Sequence, residues 1–166
     1  MKILIVGNGA RESALALKLK NDSRISKLYF AKGTVTTAEL GQNVYDESVE
    51  GLRDFAIKER IDLTIVGPEA PLVEGIVDEF KKHGLKIFGP EKRAAELEGS
   101  KAFSKKFMQT NNIKTAKAVV FDAYHDAIEY VRNQKFPIVI KASGLAGGKG
   151  VVIADNLTEA ESTIHK

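Results

Sequence analysis

Residues 143–150 read SGLAGGKG, four glycines and one lysine in eight positions. The run sits between PIVIKA (137–142) and VVIA (151–154), two stretches with the look of strands. A glycine-rich hairpin between strands can fold its backbone amides over phosphate oxygens. Lys141, at the end of the first stretch, would supply a fixed positive charge. Lys149 would supply a second one on the moving segment. The pattern is not a Walker A loop. Three residues, not four, separate Gly144 from Gly148, and Lys149 leads to Gly150 and a strand instead of Ser or Thr and a helix. A plain flexible hairpin with solvated lysines would account for the glycines. It does not account for Lys141 and Lys149 together.

Two more stretches could do chemistry. GNGARE (7–12) follows KILIV (2–6) and opens a helical pattern. Its glycines permit a tight turn, and the helix N-terminus behind it favours an anion. Gly7, Asn8, Gly9, Arg11 and Glu12 are therefore candidates to hold a small anionic ligand, with a plain tight turn as the alternative. A dinucleotide fingerprint would need glycine at position 12 and an acidic residue about 20 positions on. The chain has Glu12 instead, and Ala31-Lys32-Gly33 at the end of the next strand. A nicotinamide cofactor is disfavoured. GPEAPL (67–72) follows DLTIV (62–66) and contributes Gly67, Pro68 and Glu69. Glu69 could accept hydrogen bonds from sugar hydroxyls or an amine; equally, the two prolines could simply shape a turn and start a helix.

Other residues carry less. His83, His125 and His165 are scattered without ligand spacing. Lys105-Lys106 reads as a solvated helix face. Phe103 and Phe107, four apart on that helix, read as core. With no cysteine there is neither a disulfide frame nor a thiolate nucleophile or metal site.

These residues need a scaffold. In the first half, short apolar runs at 2–6, 27–31, 62–66 and 86–88 alternate with helical patterns at 12–20, 48–60 and 71–83. Strand–helix alternation predicts βαβ units and a parallel sheet covered on both faces. Open parallel sheets bind ligands beyond the carboxyl ends of their strands, which is where GNGARE and GPEAPL fall. Past residue 90 the rhythm changes. A helical stretch interrupted at Gly99-Ser100 is followed by a strand at 116–121, a helix at 126–134, strands at 137–142 and 150–154, and a last helix capped at Thr158 by a Thr-Glu-Ala-Glu box. Net charge is +3 with both signs interspersed, too mild to argue for nucleic acid or an anionic membrane. No run approaches the ~20 apolar residues of a membrane span, and no signal peptide is evident. The expected location is cytoplasmic.

The ordered set GNGARE, GPEAPL, IFGP, LEGSKAFSKKFM and PIVIKASGLAGGKGVVIA resembles the phosphoribosylamine–glycine ligases, the glycinamide ribonucleotide synthetases of purine biosynthesis. The resemblance runs along essentially all 166 residues. It implies an α/β fold. A Rossmann-like parallel-sheet domain (pre-ATP-grasp) spans 1–100, and the first, incomplete part of an ATP-grasp domain spans 101–166. The implied reaction joins glycine to 5-phosphoribosylamine with conversion of ATP to ADP and phosphate. On this resemblance Lys101, Lys141 and the flap Ser143, Gly144, Leu145, Ala146, Gly147, Gly148, Lys149 and Gly150 hold ATP. Gly7, Asn8, Gly9, Arg11, Glu12, Gly67, Pro68 and Glu69 face phosphoribosylamine. Mg2+ or Mn2+ is expected for the full enzyme, with ligands outside this chain, and no catalytic side chain is assigned here. The chain by itself is expected to be inactive. Departures include Ala10 and Ser13 where the family has glycine and histidine, Lys32 in place of a proline, and Ser143 in place of an aspartate. Another ATP-grasp ligase or carboxylase, or a non-catalytic nucleotide- or phosphosugar-binding module, are the competing readings.

Overall fold

The computed structural model describes residues 1–165. The chain divides into two compact units, Met1–Ala95 and Glu96–Lys166.

The first unit is a five-stranded parallel sheet flanked by helices. Its elements are β1 (Lys2–Val6), α1 (Ala10–Lys20), β2 (Lys27–Ala31), α2 (Val35–Ala38), β3 (Gln42–Val44), α3 (Val49–Glu59), β4 (Leu63–Val66), α4 (Glu69–Glu74), α5 (Ile76–Lys82) and β5 (Ile87–Phe88); α6 (Lys92–Gly99) runs across the division. The strand order is β3-β2-β1-β4-β5. All four pairings are parallel, with Ile3 opposite Leu28 on one side and Leu63 on the other. Chain order thus runs outward from β1 in one direction and resumes at β4 in the other. Open parallel sheets bind ligands at such a reversal, which here falls at the carboxyl ends of β1 and β4.

Both faces of β1 are buried, as its uninterrupted Ile3-Leu4-Ile5-Val6 run predicts. Leu4 and Val6 pack with Tyr29, Leu52, Ile76, Val77 and Phe80 on one face. Ile3 and Ile5 pack with Ala16, Leu28 and Phe30 on the other. Tyr29 meets Phe55 edge to face, with ring centroids 5.1 Å apart. Its hydroxyl donates to Glu59 Oε2 at 2.7 Å and holds that carboxyl below its usual range. Arg53 pairs with both Asp54 and Glu79 and lowers both carboxyls.

The expected strands at 2–6, 27–31, 62–66 and 86–88 form, and the rest differs in instructive ways. The helix expected over 71–83 is two helices, because Gly75 adopts φ +103° and ends α4 in a left-handed cap before α5 begins. It also starts earlier, at Glu69, with Pro68 at the N-cap. The polar segment 35–44 supplies α2 and the edge strand β3, neither of which its pattern announces.

The second unit contains α7 (Lys101–Thr110), α8 (Tyr124–Arg132), β6 (Ile138–Lys141), β7 (Val151–Ala154) and α9 (Leu157–Ile164). β6 and β7 form an antiparallel hairpin, with Val139 opposite Ile153 and Lys141 opposite Val151. Its inner face, Ile138, Ile140 and Ala154, packs with Val131 of α8 and Ala160 and Ile164 of α9. The strand expected at 116–121 does not form. Val119 and Val120 have the right propensity but no neighbouring strand, and both are about half exposed. The last helix starts at Asn156, not Thr158. The Asn156 side chain accepts from Glu159 N at 3.0 Å, and Glu159 Oε2 accepts from Asp155 N. Phe103 and Phe107 stack at 6.5 Å, but no residue of α7 is buried, so the pair is not core. Lys105 is not simply solvated. Its ammonium donates to Thr115 Oγ1 at 2.7 Å and to Ala116 O at 2.9 Å, tying the extended segment after α7 to that helix.

Candidate functional site

In the first unit, the two stretches singled out from the sequence follow the carboxyl ends of β1 and β4, neighbours at the reversal of strand order. Gly9 is the N-cap of α1 and its N–H donates to Glu12 Oε2 at 2.6 Å. Glu12 is almost wholly buried at 3% exposure. Its second oxygen, Oε1, is buried with no hydrogen-bond partner. The glycines explain how it fits. A Cβ on Gly67 would overlap Oε1, and one on Gly7 would lie 2.9 Å from the Glu12 carboxyl carbon and 2.7 Å from Pro68 Cδ. Each is tighter than side chains tolerate. The Glu12 carboxylate therefore threads between glycines of two different loops.

Arg11 is exposed and lies between two acids. Its Nε is 4.0 Å from Glu12 Oε1 and its Nη2 is 3.7 Å from Glu69 Oε2. Gly7, Asn8, Gly9, Arg11, Glu12, Gly67, Pro68 and Glu69 thus fall on one sheet edge, at the β1 and β4 carboxyl ends. At the end of β2, Lys32 takes φ +60° and pairs with Glu47 at 2.8 Å.

In the second unit, the stem and the tip of the 143–150 loop behave differently. The stem is fastened to the start of α7. Lys101 N donates to Ser143 O at 2.8 Å, Ala102 N to Ser143 Oγ at 3.1 Å, and Lys101 Nζ to Gly144 O at 3.1 Å. Ser143 thus satisfies a free amide in the first turn of α7, beside the N-cap Ser100. Ala142 N donates to Gly150 O, and Lys149 N to Ala146 O, closing the turn. At the tip, Cβ atoms added at Gly144, Gly147 or Gly148 would meet nothing within 4 Å. Gly147 and Gly148 have φ of +54° and +79°. The space beside the backbone there is open.

Lys141 points to the outer face of the hairpin, which it shares with Val139, Val151 and Ile153. All three are exposed, Ile153 at 62%. The three side chains make an exposed apolar strip that ends at Lys141 and the glycine loop. Sequence reasoning named Lys141 and the loop as candidates. It missed the strip, which only the period-two alternation of β6 and β7 against the α8–α9 side reveals.

Among the described residues no group of three or more His, Asp and Glu side chains comes together as a cation site. His83, His125 and His165 are all exposed. No helix among the described residues is long and apolar enough to cross a membrane.

Comparison with known proteins follows this division of labour. Residues 1–98 match the family Phosphoribosylglycinamide synthetase, N domain, and residues 99–166 match its ATP-grasp (A) domain. The chain is 53% identical over 166 residues to the phosphoribosylamine–glycine ligase of Clostridium acetobutylicum, covering 99% of this chain and 40% of that protein. It is 50% identical over 169 residues to the ligase of Escherichia coli K12, covering 99% of this chain and 39% of that one. The crystal structure of the ligase from Thermotoga maritima aligns at a TM-score of 0.73 and 30% identity, over 99% of this chain and 38% of that structure. The fold is also that of an N5-carboxyaminoimidazole synthetase from Staphylococcus aureus, at a TM-score of 0.80 and 15% identity, over 99% of this chain and 45% of that one. The chain thus spans about 40% of the length of the curated relatives it matches. With both of its units matched in order, the chain belongs to the phosphoribosylglycinamide synthetase family.

Proposed function

We propose that the chain supplies the phosphoribosylamine-facing domain and the first ATP-holding elements of a phosphoribosylamine–glycine ligase. In this reading the domains meet near residue 100, and the protein works in the cytoplasm. The observation that carries the reading is the second unit's hairpin. Lys141 ends its first strand, an open glycine loop follows, and Lys101 of α7 bonds that loop at Gly144 O, all in a segment that matches an ATP-grasp domain.

The chemistry is acyl activation. The glycine carboxylate attacks the γ-phosphorus of ATP, and ADP leaves with its electron pair. The amine of phosphoribosylamine then attacks the acyl phosphate carbon, and inorganic phosphate departs as the amide forms. Charge builds on the transferred phosphoryl group, so the protein's task is neutralisation and positioning. Lys141 faces the phosphates from the strand. Lys101 exchanges its bond to Gly144 O for a phosphate oxygen, and the released loop closes its amides over the nucleotide. The carboxyl edge of the first unit's sheet holds the phosphoribosylamine. A divalent cation would add charge neutralisation at the phosphates, but among the described residues no group of acidic side chains fits one.

Calorimetric titration with ATP tests the reading. Saturable binding that weakens at least tenfold in Lys141→Ala supports it, the loss expected of a charge-assisted contact worth ~1.5–3 kcal/mol. ATP binding indifferent to Lys141→Ala would remove its support. The purified 166-residue chain is expected to show no ligase turnover, and turnover would contradict the assignment of essential parts to segments it does not span.

A further inference from the structure

The phosphate-binding fingerprint of a βαβ unit leaves the helix N-terminus bare, and glycines keep it accessible to a ligand's phosphate. In this chain the same place is taken. Glu12 Oε2 accepts the Gly9 N–H at 2.6 Å. The space left by the missing side chains at Gly7 and Gly67 is filled by the Glu12 carboxyl group. The nearest cation, Arg11, lies between Glu12 and Glu69, so the charged groups of the two loops are one cation and two carboxylates. A phosphate brought here would meet net negative charge and no free Gly9 amide. A hydrogen-bond donor would meet Glu69, nearly half exposed, while Glu12 Oε1 stays buried without a hydrogen-bond partner.

We propose that Glu12 is the resident anion of the α1 N-terminus and thereby a specificity-determining residue. Its carboxylate stands where a fingerprint would hold phosphate, so this loop pair takes the amine or hydroxyl end of its ligand and leaves the phosphate to be bound elsewhere. The second half rests on the reading that this edge faces phosphoribosylamine. The first half stands without it.

Glu12→Gly completes the G-x-G-x-x-G pattern and removes the plug in one change. Amide-resolved NMR of the chain, titrated with inorganic phosphate and with pyrophosphate, reads the outcome at Gly9 and Ala10. In the native chain both signals should stay still through millimolar anion. In Glu12→Gly they should shift saturably, with apparent affinity at least tenfold tighter. Should that variant fail to fold, Glu12→Ala, which keeps a good helix former, carries the same comparison. Native-chain signals that respond as strongly as the variant's would overturn the proposal, and so would a folded variant that stays silent. Ribose 5-phosphate separates the two halves. Shifts at Gly67 and Glu69 with Gly9 still support both. Shifts at Gly9 in the native chain overturn the plug. Silence throughout the first unit counts against the phosphoribosylamine edge, and the phosphate comparison at Gly9 then judges the plug alone.

Discussion

Two sets of glycines divide the molecule's chemistry. Gly7 and Gly67 in the first unit are small because protein atoms fill the space beside them: Pro68 and the Glu12 carboxyl group. Gly144, Gly147 and Gly148 in the second unit face nothing within 4 Å. In sequence both look like ligand loops after strands. In structure the space beside the first set is filled by protein atoms, and the space beside the second set is open. A glycine-rich run is therefore not one signal. What it means depends on whether a neighbouring side chain has moved into the vacancy.

Substitution by alanine should separate the two sets most sharply. Gly67→Ala pushes the Glu12 carboxylate out of its place and off the Gly9 N–H, and is expected to cost ~1 kcal/mol of first-unit stability, about one hydrogen bond. Gly144→Ala, with open space and no positive φ, should stay within ~0.5 kcal/mol of the parent. Urea unfolding of each variant measures both, and equal losses would erase the distinction. A comparable effect tests the second unit's frame. Asn156→Ala should cost ~1 kcal/mol through loss of the α9 cap, while Thr158→Ala should cost little. The reverse order would restore the cap expected from the Thr-Glu-Ala-Glu pattern.

Acid should act on the first unit through its paired carboxylates. Tyr29 lowers Glu59, and Arg53 lowers Glu79. Their folded pKa values lie below the unfolded ones. The stabilisation is complete above the unfolded value, near pH ~4.3, and fades as pH falls toward the folded values. Tyr29→Phe should flatten this acid dependence slightly, measured as unfolding midpoint against pH between ~5 and ~3. An unchanged slope would mean that the Tyr29–Glu59 bond contributes nothing to it.

Much of this was legible in the residues. Uninterrupted apolar runs located β1, β2 and β4, and their alternation with helices gave the parallel sheet. The candidate loops were picked out by position, as the segments just past those strands. What escaped did so for physical reasons. β3 is three residues, Gln42-Asn43-Val44, held by pairing with β2 instead of by its own propensity. The run at 116–121 has propensity without a partner and forms no strand. The role of Glu12 was hidden because a carboxylate at that position reads as a broken fingerprint. Only the overlap with Gly67 shows it as a filled one. Ser143 likewise reads as a family departure, yet it fastens the loop's stem to α7.

The most direct test places nucleotide phosphates on the molecule. Amide-resolved NMR of the native chain, titrated with ATP and magnesium, should show saturable shifts at Lys101 and across 143–150, with Gly7 and Gly9 unmoved. Shifts at Gly7 and Gly9 with a silent 143–150 loop would contradict the division drawn here, placing the phosphates in the first unit and leaving the open glycines as an ordinary turn.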